Sequence, residues 1–230
     1  MIQFLFPTVA TLSFGPALLL FYLALSGYTY PKSEKVYFDD RWIFTLLAVG
    51  IVLGALLLYF ETALLSGGFG LILLLLIIEE LIMLVILNFP RFRAKGGSRF
   101  YGYALGTSTA AGMAIGEYWF VFGRANAIDP FTLLILLIYT FGLELVGGSS
   151  GSFIGYSIEM KSIPGGVFAA VAVQAVYNFL LIPVFSFRPS ALTFSFDLAA
   201  LLIATLSFLY VHYRIFPSVR AVEAQRRRLI

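Results

Sequence analysis

Cysteine is absent from the 230 residues, so the chain has no disulfide framework, no thiolate metal ligand and no thiol nucleophile. A single histidine, His212, leaves little room for imidazole chemistry. Charge is scarce as well, at 12% of residues, and the net charge is only +3. No nucleic-acid partner is expected. The first residues, Met1-Ile2-Gln3-Phe4-Leu5-Phe6-Pro7, lack a basic n-region, so they read as the start of a first helix and not as a cleaved signal peptide. There is no long polar insertion, no short internal repeat and no low-complexity segment.

What remains is apolar. Hydrophobic residues make up 60% of the chain and the mean hydropathy is +0.95. A soluble domain cannot hide that much apolar surface, so the expected solvent is lipid. Seven segments approach the ~20 apolar residues that a membrane-spanning helix requires. They cover approximately 5–27, 43–65, 67–89, 100–122, 130–157, 166–186 and 196–216. The fifth is long enough for a tilt or a break around Gly147-Gly148. Gly and Pro punctuate the connections, as at Gly67-Gly68, Phe89-Pro90 and Asp129-Pro130.

Basic residues orient this map. With the N-terminus outside, 13 of the 15 Lys and Arg residues fall on the inner side, leaving Arg124 and Arg188 outside. The positive-inside rule gives that asymmetry. The expected fold is therefore an all-α polytopic helix bundle with about seven transmembrane helices, N-terminus out and C-terminus in. Residues 1–217 form one transmembrane bundle, and 218–230 form a basic cytoplasmic tail whose Arg226-Arg227-Arg228 acts as a topology signal. The chain is expected to be an integral protein of the plasma membrane.

Seven side chains inside the predicted spans can ionise: Glu61, Glu79, Glu80, Glu117, Glu144, Asp197 and His212. Glu61, Asp197 and His212 fall near span ends, where polar side chains reach the interface. Glu79, Glu80 and Glu144 fall near mid-membrane and Glu117 in the outer half of the fourth span. No Lys or Arg lies at their depth. Carboxyls so placed share protons, bind a cation or face water. Glu79 and Glu80 are consecutive, so their side chains diverge by ~100° and only one points straight into a site.

The fourth span carries small residues at Gly102, Gly106, Ala110 and Ala114, a face that lets another helix approach closely and brings it near Glu117. The fifth carries Glu144 and the soft run Gly147-Gly148-Ser149-Ser150-Gly151-Ser152, tolerated where backbone is buried in protein or lines a wet cavity. The sixth carries Gln174 and Asn178, four apart on one face. Singly, such amides and hydroxyls serve as interhelical hydrogen-bonding groups worth ~0.6–2 kcal/mol each.

Together these motifs resemble the PrsW-type intramembrane proteases, within the larger superfamily of CAAX-processing and bacteriocin-processing membrane proteases. The resemblance runs from Gly15-Pro16-Ala17-Leu18-Leu19-Leu20-Phe21-Tyr22 to Asn178. Glu79-Glu80 match the family's paired glutamates. Gly106, Gly112, Ala114 and Glu117 match its second motif, Ser152-Phe153-Ile154-Gly155-Tyr156 the end of its third, and Gln174 to Leu180 its fourth. The departures are specific. Met83 stands where the family has lysine, and Tyr118 where it has asparagine. The third motif's histidine and threonine fall near Gly147 and Gly151, and the fourth motif's histidine is Gln174. Glu144 is gained three residues before Gly147, on nearly the same face.

The resemblance implies catalytic positions at Glu79, Glu80, Glu117 and Asn178, supported by Glu144, Gln174, Gly147 and Gly151. It implies water activation, directly or through a divalent metal, to cut a peptide bond in the membrane. Both family histidines are missing, so no metal ligand set is assigned and the cofactor stays open. Gln174 orients a water but takes no proton. Three functions follow. A pseudoprotease binds a membrane protein segment or partner without cutting it. A divergent endopeptidase works with carboxylates alone, one ionised and one protonated. A transporter-like bundle uses the acidic cluster for a proton or a hard cation.

Overall fold

The computed structural model describes residues 2–29, 37–64, 69–93, 97–124, 129–186 and 190–219. Among these residues all regular structure is helical. The helices are α1 (Ile2–Leu25), α2 (Asp40–Leu64), α3 (Phe69–Leu87), the single turn α4 (Pro90–Arg93), α5 (Ser98–Arg124), α6 (Pro130–Met160), α7 (Ile163–Ser186) and α8 (Ala191–Tyr210). A π-helical turn, Val211–Ile215, continues α8. Each of the seven expected segments holds a long helix, with ends moved by a few residues. The largest shift is at α8, which begins at Ala191 where 196 was expected; α7 begins at Ile163 and takes Pro164 into its first turn, where a missing N–H costs nothing.

Five helices, α1, α2, α6, α7 and α8, are long and apolar enough to cross a membrane, which makes this an integral membrane protein. They present large apolar side chains outward, among them Tyr22, Phe44, Tyr59, Phe168 and Leu202, as lipid contact requires. α5 is different. Every described residue from 97 to 112 is buried, so protein surrounds that half of the helix and its Ser, Thr and Gly content meets no lipid.

α5 packs most extensively on α6 and then on α2. The α5–α6 seam is made by glycines. A Cβ at Gly102 would strike the Gly151 carbonyl, and one at Gly106 the Gly147 carbonyl. From the other side, a Cβ at Gly147 would lie 2.6 Å from the Gly106 carbonyl oxygen. Backbone-to-backbone contact of this kind maximises dispersion between helices where no hydrophobic force operates.

α6 runs without interruption through Gly147-Gly148, so of the tilt or break that its length allows, the break does not occur. The reason is local. Ser149 donates to the Leu145 carbonyl at 2.7 Å, Ser150 to Gly147 at 3.0 Å and Ser152 to Gly148 at 2.8 Å. The serines thus fold back onto their own helix, and the glycines are covered by α5. The soft run is a buried packing surface. Asp129 caps the start of α6, accepting from the Phe131 and Thr132 amides at 3.0 Å each, with Pro130 in the first turn. At the other end Lys161 takes the left-handed conformation, φ 58°, and Ser162 donates to the Ser157 carbonyl at 2.9 Å, closing the helix in a Schellman turn.

The same end holds a buried ion pair. Arg99, at the start of α5, bonds Glu159 of α6 through its Nε at 2.8 Å and through a guanidinium NH2, while the Arg99 amide donates to the other carboxyl oxygen at 2.9 Å. The guanidinium also reaches the Ile215 carbonyl and Ser218, and lies over the Tyr156 ring at 4.9 Å. Arg99, one of the basic residues assigned to the inner side, is therefore an internal cross-link and not a surface charge. Val219, which follows Ser218, is buried too. Residues 220–230, with Arg226-Arg227-Arg228, lie outside the described residues, as do Lys32, Lys35, Lys95 and Arg188.

Candidate functional site

At the end of the bundle away from Arg99 and Glu159, the helices part around a cavity of about 790 Å³. Its walls are the second half of α2, the first half of α3, the later part of α5, the middle of α6 and the later part of α7. Apolar side chains such as Leu58, Leu76, Met113 and Leu181 form most of the surface. Tyr59, Trp119, Phe120, Phe179 and Ile182 line it too, and each is also exposed on the outside of the bundle. The cavity therefore opens laterally, between helices, where lipid contacts the protein.

Three carboxyls line it: Glu61 from α2, Glu79 from α3 and Glu117 from α5. Glu79 is buried, and its Oε1 accepts from Gln174 Nε2 at 3.3 Å. The same amide nitrogen donates to Ser150 Oγ at 3.3 Å, which ties α7 to α3 and α6 at once. That pair of donations sets the orientation of the Gln174 amide and leaves its carbonyl oxygen without a partner. Glu117 Oε1 accepts from the Tyr139 hydroxyl at 2.6 Å, and its Oε2 has no hydrogen-bond partner. Glu61 lies near enough to act electrostatically on both Glu79 and Glu117. Asn178 donates to the Gln174 backbone carbonyl one turn back at 3.1 Å and lines the cavity beside it.

Of the residues expected to form a site, the structure brings together Glu79, Glu117, Asn178, Gln174 and Gly147. It separates three others. Glu80 is fully buried and turned toward Ser150 and Glu79, with neither carboxyl oxygen in a hydrogen bond of ordinary geometry. Gly151 is spent against the Gly102 backbone. Glu144, expected to share a face with Gly147, is buried outside the cavity, in electrostatic contact with Tyr103, Tyr118 and Tyr177. Its three-residue offset from Gly147 turns it ~60° around α6, enough to miss the opening.

Two participants were not expected. Glu61 was assigned to the interface by its place near a span end. Tyr139 was not singled out, although an aromatic hydroxyl facing a carboxyl is a common way to satisfy both in an apolar site. The one signal available for Glu61 was its place on α2, past Gly50 and Gly54, where close packing on Ser108 and Thr109 draws α2 against α5.

The chemistry of this arrangement is limited. Carboxylate-only hydrolysis requires a proton-sharing pair of carboxyls, and the carboxyl hydrogen bonds seen among the cavity-lining residues are instead to Gln174 and Tyr139. His212 lies on the π-helical turn beyond α8, stacked on Phe208 at 5.8 Å. No three His, Cys, Asp or Glu side chains among the described residues converge as a metal site, so the donor set does not fit a divalent metal and no step is routed through one. What the site offers is a laterally open apolar chamber with anionic and amide groups at its inner wall. Comparison with family models, with curated proteins and with solved structures gives no match.

Proposed function

We propose that this chain is a membrane-embedded binding protein, of PrsW-like intramembrane-protease descent, that holds a segment of another membrane protein in its lateral cavity without cutting it. The descent rests on the ordered motifs at Glu79-Glu80, Glu117, Ser152 to Tyr156 and Gln174 to Asn178. The orientation follows from the basic residues: seven spans, N-terminus outside, C-terminus inside, in the plasma membrane, with the cavity in the outer half.

A single observation carries the functional part. Gln174 stands where the family has its histidine, and it is hydrogen-bonded to Glu79. An amide there positions and donates but takes no proton from water, so Glu79 is engaged by a group that holds it still. A site of several hundred Å³ with apolar walls and a few convergent polar groups is the usual form of a recognition pocket. Three turns of a helix ~10 Å across occupy roughly 1,300 Å³, so a cavity of about 790 Å³ receives the side chains of one helix face and leaves the helix itself at the mouth.

The absence of native cysteine makes the test clean. Ile182→Cys places one thiol at the mouth. Reconstituted in vesicles with synthetic transmembrane peptides carrying one cysteine, this variant is expected to trap a peptide by disulfide, and mass spectrometry of the trapped peptide should show its full length. Peptide cleavage that disappears in Glu79→Gln would replace binding by the endopeptidase reading.

A further inference from the structure

The polar lining of the cavity is one-sided. Its interior donors are already used within the protein. Tyr139 donates to Glu117, and Tyr177 donates to the Tyr139 carbonyl at 2.8 Å. Gln174 donates to Glu79 and Ser150, and Asn178 to the Gln174 backbone carbonyl, while the exposed Thr62 donates to the Tyr59 carbonyl at 2.9 Å. Its acceptors are not used up. Glu117 Oε2 has no partner, and neither does Oε1 of Gln174, a side chain only 4% exposed. Glu61 and Glu79 add carboxyl oxygens to the same wall. No Lys, Arg or His is among the described residues that line it. A buried acceptor left open is a vacancy for a donor, and clustered carboxyls without a counter-charge favour a cationic one.

We propose that the bound segment carries a basic residue, Lys or Arg, whose charged group enters the cavity lined by Glu61, Glu79 and Glu117 and donates to its open acceptors, Glu117 Oε2 and Gln174 Oε1. The proposal rests on the segment-binding reading. Its logic is reciprocal. A Lys or Arg in a membrane span is costly unless it meets a polar partner, and this cavity is a polar partner short of a cation. Charge-assisted hydrogen bonds to two or three acceptors orient the segment, while its apolar residues cover the mouth at Tyr59, Trp119 and Phe179. A Glu-bearing segment would place like charge on like and be rejected.

The Ile182→Cys vesicles test this with a peptide series that differs only at its central residue: Lys, Arg, Leu or Glu. Lys and Arg peptides are expected to cross-link at least tenfold more than the Leu peptide, with the Glu peptide at background. In Glu61→Gln and in Glu117→Gln that preference should fall severalfold. The comparison among peptides is made on a bundle with all its carboxyls intact, so it reads even where a carboxyl variant fails to fold. Equal trapping of Lys and Leu peptides would overturn the charge assignment and leave the cavity a segment-binding site. Failure to trap any peptide would remove the segment-binding reading itself. Protection of the introduced thiol by dodecylamine, without trapping of any peptide, would reassign the site to a free lipophilic amine.

Discussion

Gln174 illustrates how one side chain organises a site. Its amide donates to Glu79 and Ser150, and both donations cross helix boundaries. An apolar isostere would leave the Glu79 carboxyl buried without its donor, at a cost of about 1–3 kcal/mol. Gln174→Leu is therefore expected to lower the stability of the purified protein in detergent by that amount, read as a reduced midpoint of thermal unfolding. Gln174→Glu should destabilise further, because it adds a carboxyl beside Glu79 where a donor had been. A variant as stable as the parent would show that the Gln174 bonds contribute nothing net. At this scale the sequence was partly readable. The residue types at 79, 117, 174 and 178 pointed to a site because polar groups are costly in lipid. Glu61 was less legible because it lies near the end of its own span, while its carboxyl neighbours, Glu79 and Glu117, come from α3 and α5.

The helices themselves were the most legible feature, since apolar runs near 20 residues admit little else in a bilayer. The glycine and serine run of α6 was less so. In isolation Gly147-Gly148 and the adjacent serines read equally as a break or as a packing face. The decision lies with Gly102 and Gly106 on another helix, whose backbone fills the space that side chains would need. The start of α6 gives a test that belongs to this scale. Asp129 is fully exposed, outside the span, and its carboxyl is held below the usual carboxylate range, first by the Thr132 hydroxyl and then by the Thr132 amide. A group whose folded pKa is depressed stabilises the native state above the unfolded value, and that stabilisation is lost as pH falls through the folded value. The first turn of α6 should therefore open below the usual carboxylate range. Amide exchange at Phe131 and Thr132 is expected to rise there, after correction for intrinsic rate, and Asp129→Ala should show the same faster exchange at neutral pH. Unchanged protection in Asp129→Ala would show that lipid or packing holds the turn without the cap.

Among the described residues, two polar clusters at opposite ends of the bundle have opposite properties. The Arg99 charge is matched: the guanidinium meets Glu159, the Ile215 carbonyl, Ser218 and the Tyr156 ring. Around Glu61, Glu79 and Glu117 the acceptors outnumber the donors. The first pattern is what a fixed cross-link requires, because a buried charge is tolerated only when fully paired. It joins the start of α5, the end of α6 and the turn after α8, segments far apart in sequence, so the pair Arg99 and Glu159 was not apparent from spacing. Removing one partner strands the other in a buried site, and Arg99→Met or Glu159→Leu alone is expected to cost about 3–5 kcal/mol. The double replacement should cost clearly less than the two singles combined, since no charge is then left unpaired. Unfolding in detergent of all four proteins measures that coupling, and additive losses would show that the two side chains act separately. Peptide trapping at Ile182→Cys, combined with the double replacement, should persist in whatever fraction remains folded, because the cavity takes none of its lining from the Arg99 end. Its loss in folded double variants would mean that the matched end sets the spacing of the helices around the unmatched one.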